Sequence, residues 1–209
     1  MVALVLSLIA SIDETFADRW ISPSITNYYS PNGIFRLRVA PAELGPNGVC
    51  TATLSERKFL FRYAQKWTAP LSNRVAPVSA LVSDSGKYIV TFDNWHHVGY
   101  GDDVVVVYDG SDGKLLWKYR LEDVLSREEL CRVRCSVSSR WWASGKHAID
   151  ELQDRLMLYS ISTKMVNLRT GQVRSVAAEP SGADKPYRVE GLESMTSTTF
   201  IPCPNCGKR

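Results

Sequence analysis

The stretch from Ser79 to Leu121 constrains the fold more than any other part of the chain. Four short apolar runs, SALVSD, KYIVTFD, DDVVVVYD and KLLWKYRL, follow one another with a Ser-Gly turn, a loop and an Asp-Gly turn between them. Their β-branched and aromatic residues suit a pleated surface, and a glycine at a turn supplies the positive φ that tight hairpins need. The connections are too short to hold a crossover helix, so the strands must pair antiparallel in chain order. A sheet made of such local hairpins buries its faces by stacking on others of its kind. It reports architecture rather than chemistry.

Weaker copies flank this unit. Upstream, a Ser-Pro-Asn-Gly turn at Ser30–Gly33 precedes Ile34–Val39, which alternates apolar and basic residues. Pro41 and Pro46 mark a loop, CTATLSE supplies a second strand, and FLFRYAQKW with TAPLSN a third and a fourth. Downstream, Ser136–Val176 reads as VSSRWWAS, LQDRLMLYSIS, KMVNLRT and QVRSV, with Gly171 in the last turn. The clearest internal echo sets VVVVYDGSDGKLLWKYRL against MVNLRTGQVRSV, and the roughly forty- to fifty-residue spacing is that of a repeat architecture. Between the second and third units, LEDVLSREELCRV places Leu121, Val124, Leu125 and Leu130 on one face of a short helix. The expectation is an all-β chain, propeller-like or built of stacked antiparallel sheets, with three to four blade-like units and one short inserted helix. Residues 18–177 form the β-repeat domain and 178–209 a loosely structured tail. Three units are too few to close a ring, so either the terminal segments add a fourth, the sheets stack as an open array, or chains associate.

The phrases SPNGIFRLRV, SDSGKYIVTFDNW and VVVYDGSDGKLLWKYRL resemble the blades of bacterial WD40-like and PQQ-like propeller repeats, over about half the chain. The resemblance implies that Asp or Asn with Gly makes the hairpin turn and that Trp117 packs between neighbouring sheets. The His and Trp-Asp pair of true WD40 repeats is missing. The phrase VTFDNW…GYGDDVVVVYD is also similar to one in small exported bacterial proteins of unknown function, which bring no activity with them.

Composition narrows the partners. The 25 basic and 22 acidic residues are mixed along the chain, giving a net charge of +3, and no run of Lys or Arg makes a phosphate-binding stripe. Nucleic acid is therefore not the expected partner; a protein or an envelope component is, with oligomers allowed. Residues 1–17 carry an apolar run from Val2 to Ala10, too short to span a bilayer and followed by small and polar residues, as in a signal peptide; the competing reading is a buried strand or helix. Five cysteines cannot all pair within the chain. Cys131 with Cys135 and Cys203 with Cys206 are close enough in sequence to form disulfides in an oxidising compartment. Alternatively, the Cys203-Pro-Asn-Cys206 knuckle contributes to a zinc site with Cys131 and Cys135.

Functional side chains are densest in DNWHHVGYGDD, which holds Asp93, Asn94, His96, His97, Asp102 and Asp103. Imidazoles with carboxylates suit a divalent metal, whose bound water would make the chain a metal-dependent enzyme. The bland alternative is a hairpin connection whose Asp and Asn side chains satisfy turn amides. Trp141 and Trp142 are neighbours, so on a strand one faces the core and the other outward, and Trp142 is the candidate for stacking on a ligand. No GxSxG, Walker or GxGxxG pattern occurs. The reading that follows is a non-catalytic binding or scaffold module of the envelope, with the metal-dependent enzyme and a structural subunit of a larger β assembly as alternatives.

Overall fold

The computed structural model describes residues 20–59 and 62–176, which form an all-β, propeller-like stack of antiparallel sheets. The expected signal peptide at 1–17 and the whole of the tail at 178–209, with Cys203 and Cys206, lie outside these residues. Sheet 1 contains β1 (Thr26–Tyr29), β2 (Phe35–Ala40), β3 (Thr51–Phe59) and β4 (Arg62–Pro70). Sheet 2 contains β5 (Pro77–Val82), β6 (Tyr88–Asn94), β7 (Val105–Asp109) and β8 (Leu115–Tyr119). Two one-turn helices follow, α1 (Leu121–Val124) and α2 (Arg127–Leu130), and then a two-stranded ribbon of β9 (Arg134–Cys135) and β10 (Arg140–Trp141). Sheet 3 contains β11 (Ala148–Asp150), β12 (Arg155–Tyr159), β13 (Thr163–Asn167) and β14 (Val173–Ser175). Within each four-stranded sheet, strands pair in chain order as up-and-down meanders. The first strands β1, β5 and β11 pack beside one another.

Sheet 2 is the middle layer, and the period-2 rule shows in its two faces. Ala80, Val82, Ile89, Val106 and Tyr108 pack against Phe35, Leu37, Val39, Ala52, Leu54 and Trp67 of sheet 1. Their chain neighbours Tyr88, Val90, Phe92, Val105 and Val107 face the other way, onto Leu156, Leu158 and Val166 of sheet 3 and onto Leu121, Val124, Val133 and Trp142. Burial on both sides explains why VVVV reads as a continuous apolar run.

A repeated tryptophan contact joins each sheet to the next. Trp67 on β4 donates its indole N–H to the Gly110 carbonyl, in the β7–β8 turn, at 2.9 Å. Trp117 on β8 donates to the Leu168 carbonyl, in the β13–β14 turn, also at 2.9 Å. The two acceptor turns, DGSDGK and NLRTGQ, are superposable in their bonding. Gly113 and Gly171 each donate to the carbonyl four residues back, of Asp109 and Asn167, at 2.8 Å. The Asp109 and Asn167 side chains in turn accept from Ser111 and Arg169 amides at 2.7 and 3.0 Å. Both glycines have positive φ, and a Cβ would stand 2.9 Å from the Trp67 ring at Gly113 and 2.5 Å from the Trp117 ring at Gly171. The ring therefore lies flat on a bare backbone only glycine can offer.

Several boundaries differ from the sequence reading. β1 precedes the Ser-Pro-Asn-Gly turn, on the polar stretch TNYY, which lacks an apolar face because one side of this edge strand is open. CTATLSE runs on to Phe59, and KW and TAP belong to the one strand β4. RW of VSSRWWAS pairs with β9 in the small ribbon, and the first strand of sheet 3 is Ala148–Asp150. The single inserted helix is two helices. Leu125 is extended, and Ser126 starts the second one, its Oγ accepting from Glu129 N–H at 3.3 Å while its own N–H donates to Glu129 Oε2 at 2.7 Å. This capping box competes successfully with helix continuation.

Trp117→Phe keeps the ring and removes the donor, leaving the Leu168 carbonyl without its indole partner, at an expected cost of about 1–3 kcal/mol. Gly171→Ala must both strain a positive φ and push on the indole, so it is expected to cost more. Urea unfolding of both variants checks the ranking, and a Gly171→Ala protein as stable as the wild type would refute the docking role.

Candidate functional site

The loop after β6 is a tightly bonded connection. Asp93 has φ of +57° and is 6% exposed. Its carboxylate accepts from Gly99 N–H at 2.7 Å and from the Trp142 indole at 3.1 and 3.2 Å. Asn94 accepts from Asn73 and from the Arg74 amide, both at 3.2 Å, and donates to Asp103 at 3.3 Å. Asp103 also accepts from Ser72 Oγ at 2.5 Å, and Asp102 pairs with Arg120 at 2.6 Å. His96 packs edge-on against Trp20, with ring centroids 5.3 Å apart, and His97 is exposed. Among the described residues, no three His, Cys, Asp or Glu side chains come together to hold a metal, so His96, His97, Asp102 and Asp103 do not make the centre that the enzyme alternative needs.

Trp142 is the inward member of its pair at 1% exposure, which corrects its reading as an exposed stacking residue. The buried carboxylate of Asp93 needs donors, and the indole of Trp142 supplies one. The opposite partner of Trp142 is His147, stacked on it at 5.0 Å and 16° and packed against Phe92 at 4.5 Å. His147 Nδ1 accepts from Tyr159 N–H at 3.1 Å, so the ring proton sits on Nε2. Nothing in the sequence spacing marked His147 as a site residue.

The cysteines also depart from expectation. Cys131 is one half of a disulfide, and Cys135 is not its partner, since the Cys135 sulfur donates to the Val133 carbonyl at 3.4 Å. The Cys131–Cys135 bridge is thereby corrected, and a disulfide-bonded Cys131 cannot serve as a zinc thiolate. The cause is local: Cys131 caps α2 while Cys135 lies on β9, pairing with Arg140.

The site that the fold builds is a cleft of about 760 Å³ along the first strands, at the end where the β1–β2, β5–β6 and β11–β12 turns lie in a row. These turns are equivalent. Gly33 N–H donates to Ser30, Gly86 N–H to Ser83 and Asp154 N–H to Glu151, at 2.8, 3.0 and 3.2 Å, with Asp154 taking the glycine's positive-φ place. They are also chained across sheets. The Asn32 amide donates to Asp84 Oδ1 at 2.8 Å, and the Ser85 amide donates to Glu151 Oε2 at 3.0 Å. At the position after the first turn residue stand Pro31, Asp84 and Leu152, and Leu152 is 98% exposed. Tyr29, His147, Asp150 and Glu151 are also part of the lining, which among the described residues contains carboxylates but no Lys or Arg.

Neither a protein-family model nor a curated protein sequence matches this chain. Among solved structures, it is similar to a periplasmic gluconolactonase of Pseudomonas aeruginosa, with a TM-score of 0.40 and 12% identity, over 73% of this chain and 38% of that one. The chain thus spans well under half the length of that protein.

Burial pushes the Asp93 carboxyl up to about 7 from 3.8, and burial pushes His147 down to about 4 from 6.5. Between about pH 5 and 6.5 the two act oppositely on stability. The folded state holds the Asp93 proton that the unfolded chain releases, so this term weakens the fold as pH rises; the unfolded chain holds the His147 proton that the folded state refuses, so that term strengthens it. Asp93→Asn, which tolerates positive φ and still accepts from Gly99 and Trp142, is expected to show stability rising with pH across this window. His147→Gln is expected to show it falling, and chemical denaturation in a pH series measures both; parallel profiles would rule out the assignment.

Proposed function

We propose that this chain is a non-catalytic binding module of the cell envelope, whose row of first-hairpin turns takes a cationic, partly apolar segment of a partner protein. The observation that carries this is the cleft itself. Three turns with the same backbone bond, linked across the sheets through Asp84 and Glu151, present different side chains, Pro31, Asp84 and Leu152, with Leu152 98% exposed. A backbone repeated for packing, carrying side chains that do not repeat, is how a scaffold offers a specific surface.

The lining suits such a segment. Asp84, Asp150 and Glu151 lie in the cleft with no cation beside them in the lining, while Tyr29 and Leu152 offer exposed apolar area. The neutral His147 adds a donor at Nε2, held between Trp142 and Phe92. Asp93, Asn94, Asp102 and Asp103 of the 93–103 loop are engaged in internal bonds, which supports a structural role for these carboxylates and this amide. The Cys131 disulfide supports an oxidising compartment, as export would provide. Among the described residues no helix is long and apolar enough to cross a membrane.

A fluorescent peptide of alternating Lys and Leu should bind the protein by anisotropy at least about tenfold more tightly than its Glu-Leu counterpart; Asp150→Lys should abolish most of that preference, and Leu152→Ser should weaken binding of the Lys-Leu peptide. Equal binding of the two peptides, or binding indifferent to both substitutions, would sink the proposal.

A further inference from the structure

Basic residues occur throughout the chain, but their excess over acidic ones lies on sheet 1. Residues 26–70 carry Arg36, Arg38, Arg57, Lys58, Arg62 and Lys66 against Glu43 and Glu56, whereas residues 71–176 are close to balance. Leu37 and Val39 point into the core, so the alternation puts Arg36 and Arg38 on the outer face of the sheet. Among the described residues, Lys58 pairs with Glu56 at 2.7 Å, while no carboxylate lies within ion-pair distance of Arg36, Arg38, Arg57 or Arg62. Arg36 packs its guanidinium over the Tyr63 ring at 4.5 Å, and its buried Nε has no hydrogen-bond partner.

The same sheet has an extension that packing does not require. The last register pair between β2 and β3 is Phe35 with Glu56, and Arg57 N–H still donates to the Ile34 carbonyl at 2.8 Å and Tyr63 Oη–H to the Gly33 carbonyl at 3.0 Å, yet β3 and β4 pair one step further, Phe59 with Arg62. Arg57, Lys58, Phe59 and Arg62 are exposed on this two-stranded projection, Phe59 to 71%. A phenyl ring held out in water at the end of a ribbon, flanked by three cations, gains nothing from the fold. A flat anionic polymer would satisfy the cations but leave the ring in water. The boundary of a bilayer containing anionic lipid satisfies both, since it receives an apolar side chain below the headgroups and offers phosphates at the level of the cations.

We propose that the described part of β3 and β4 that runs past β2 docks this protein peripherally on an anionic lipid surface, with Phe59 entering the headgroup boundary and Arg57, Lys58 and Arg62 facing lipid phosphates. The unpaired Arg36 and Arg38 on the adjoining face add long-range attraction. This assignment does not depend on the cleft or on what it binds.

Co-sedimentation of the full chain with vesicles tests it. Binding is expected to phosphatidylcholine vesicles containing about one-third phosphatidylglycerol and to be weak on phosphatidylcholine alone. Phe59→Ser and the double change Arg57→Glu with Lys58→Glu should each lower partitioning at least about tenfold. All three positions are exposed, so thermal unfolding of the variants should match the wild type. Inorganic phosphate should leave vesicle binding in place beyond its ionic-strength effect; release by phosphate specifically would identify a soluble-anion site and overturn lipid docking. Equal binding to neutral and anionic vesicles, no binding to either, or binding unaltered by Phe59→Ser would overturn it as well.

Discussion

The indole-to-turn contact is the constraint on which the other features depend. A four-stranded meander of this size has two faces and two edges, and by itself it would leave one apolar face in water. Trp67 and Trp117 solve this with one geometry used twice. Each ring covers the glycine of the next sheet's last turn, and each N–H satisfies a carbonyl of that turn. The contact fixes both the separation of adjacent sheets and their relative position along the strands, because an indole has one donor and the turn offers its carbonyl at one place. The device also has ends. The connection between β3 and β4 contains no glycine, and Ser175 stands on β14 where Trp117 stands on β8. Sheet 1 therefore gives this contact and sheet 3 receives it, and among the described residues it runs from 1 to 2 and from 2 to 3.

Order at one end leaves chemistry at the other. The β6–β7 loop, with its Asp, Asn and His residues, closes on itself through Asp93, Asn94 and Asp103 and is tied to Trp142. The opposite end carries turns whose backbones are locked by equivalent bonds and whose outward side chains differ. A rigid backbone with variable side chains favours recognition, because a partner meets groups already held in place and the entropy cost of ordering them is small. Asp93 and His147 sit on either side of Trp142, one acid and one base, both pushed by burial toward their neutral forms. Neutrality lets both be buried in one core without an ion pair between them.

Reading the residues in order recovered sheet 2 nearly strand for strand, because its alternation, its valine run and its Ser-Gly and Asp-Gly turns all agree. It also found the echo between the β7–β8 and β13–β14 hairpins, which the structure shows to be a shared bonding pattern. It missed β1, whose TNYY has no alternation, since an edge strand with an open side is not required to show any. It placed the first strand of sheet 3 on VSSRWWAS, where two adjacent tryptophans outweighed the three residues Ala148–Asp150, too short a strand to leave a periodic signal. It weighed Trp142 as an exposed stacking residue because period 2 says that one of two neighbours faces inward without saying which.

By itself the amino-acid sequence determined the fold class, the three hairpin-built units and the excess of basic residues between Thr26 and Pro70. These are written in periodicity, turn chemistry and composition, all of which act over a few residues. The tertiary structure decided what distant segments do to each other. It put His147 against Trp142 and Trp142 against Asp93, gave Cys131 a partner other than Cys135, lined up Pro31, Asp84 and Leu152 along one cleft, and left Phe59 exposed beside Arg57 and Arg62. Those outcomes depend on how sheets stack and where turns meet, and most of the contacts join residues far apart in the chain, as Trp142 with Asp93 and Ser85 with Glu151, which local pattern cannot relate.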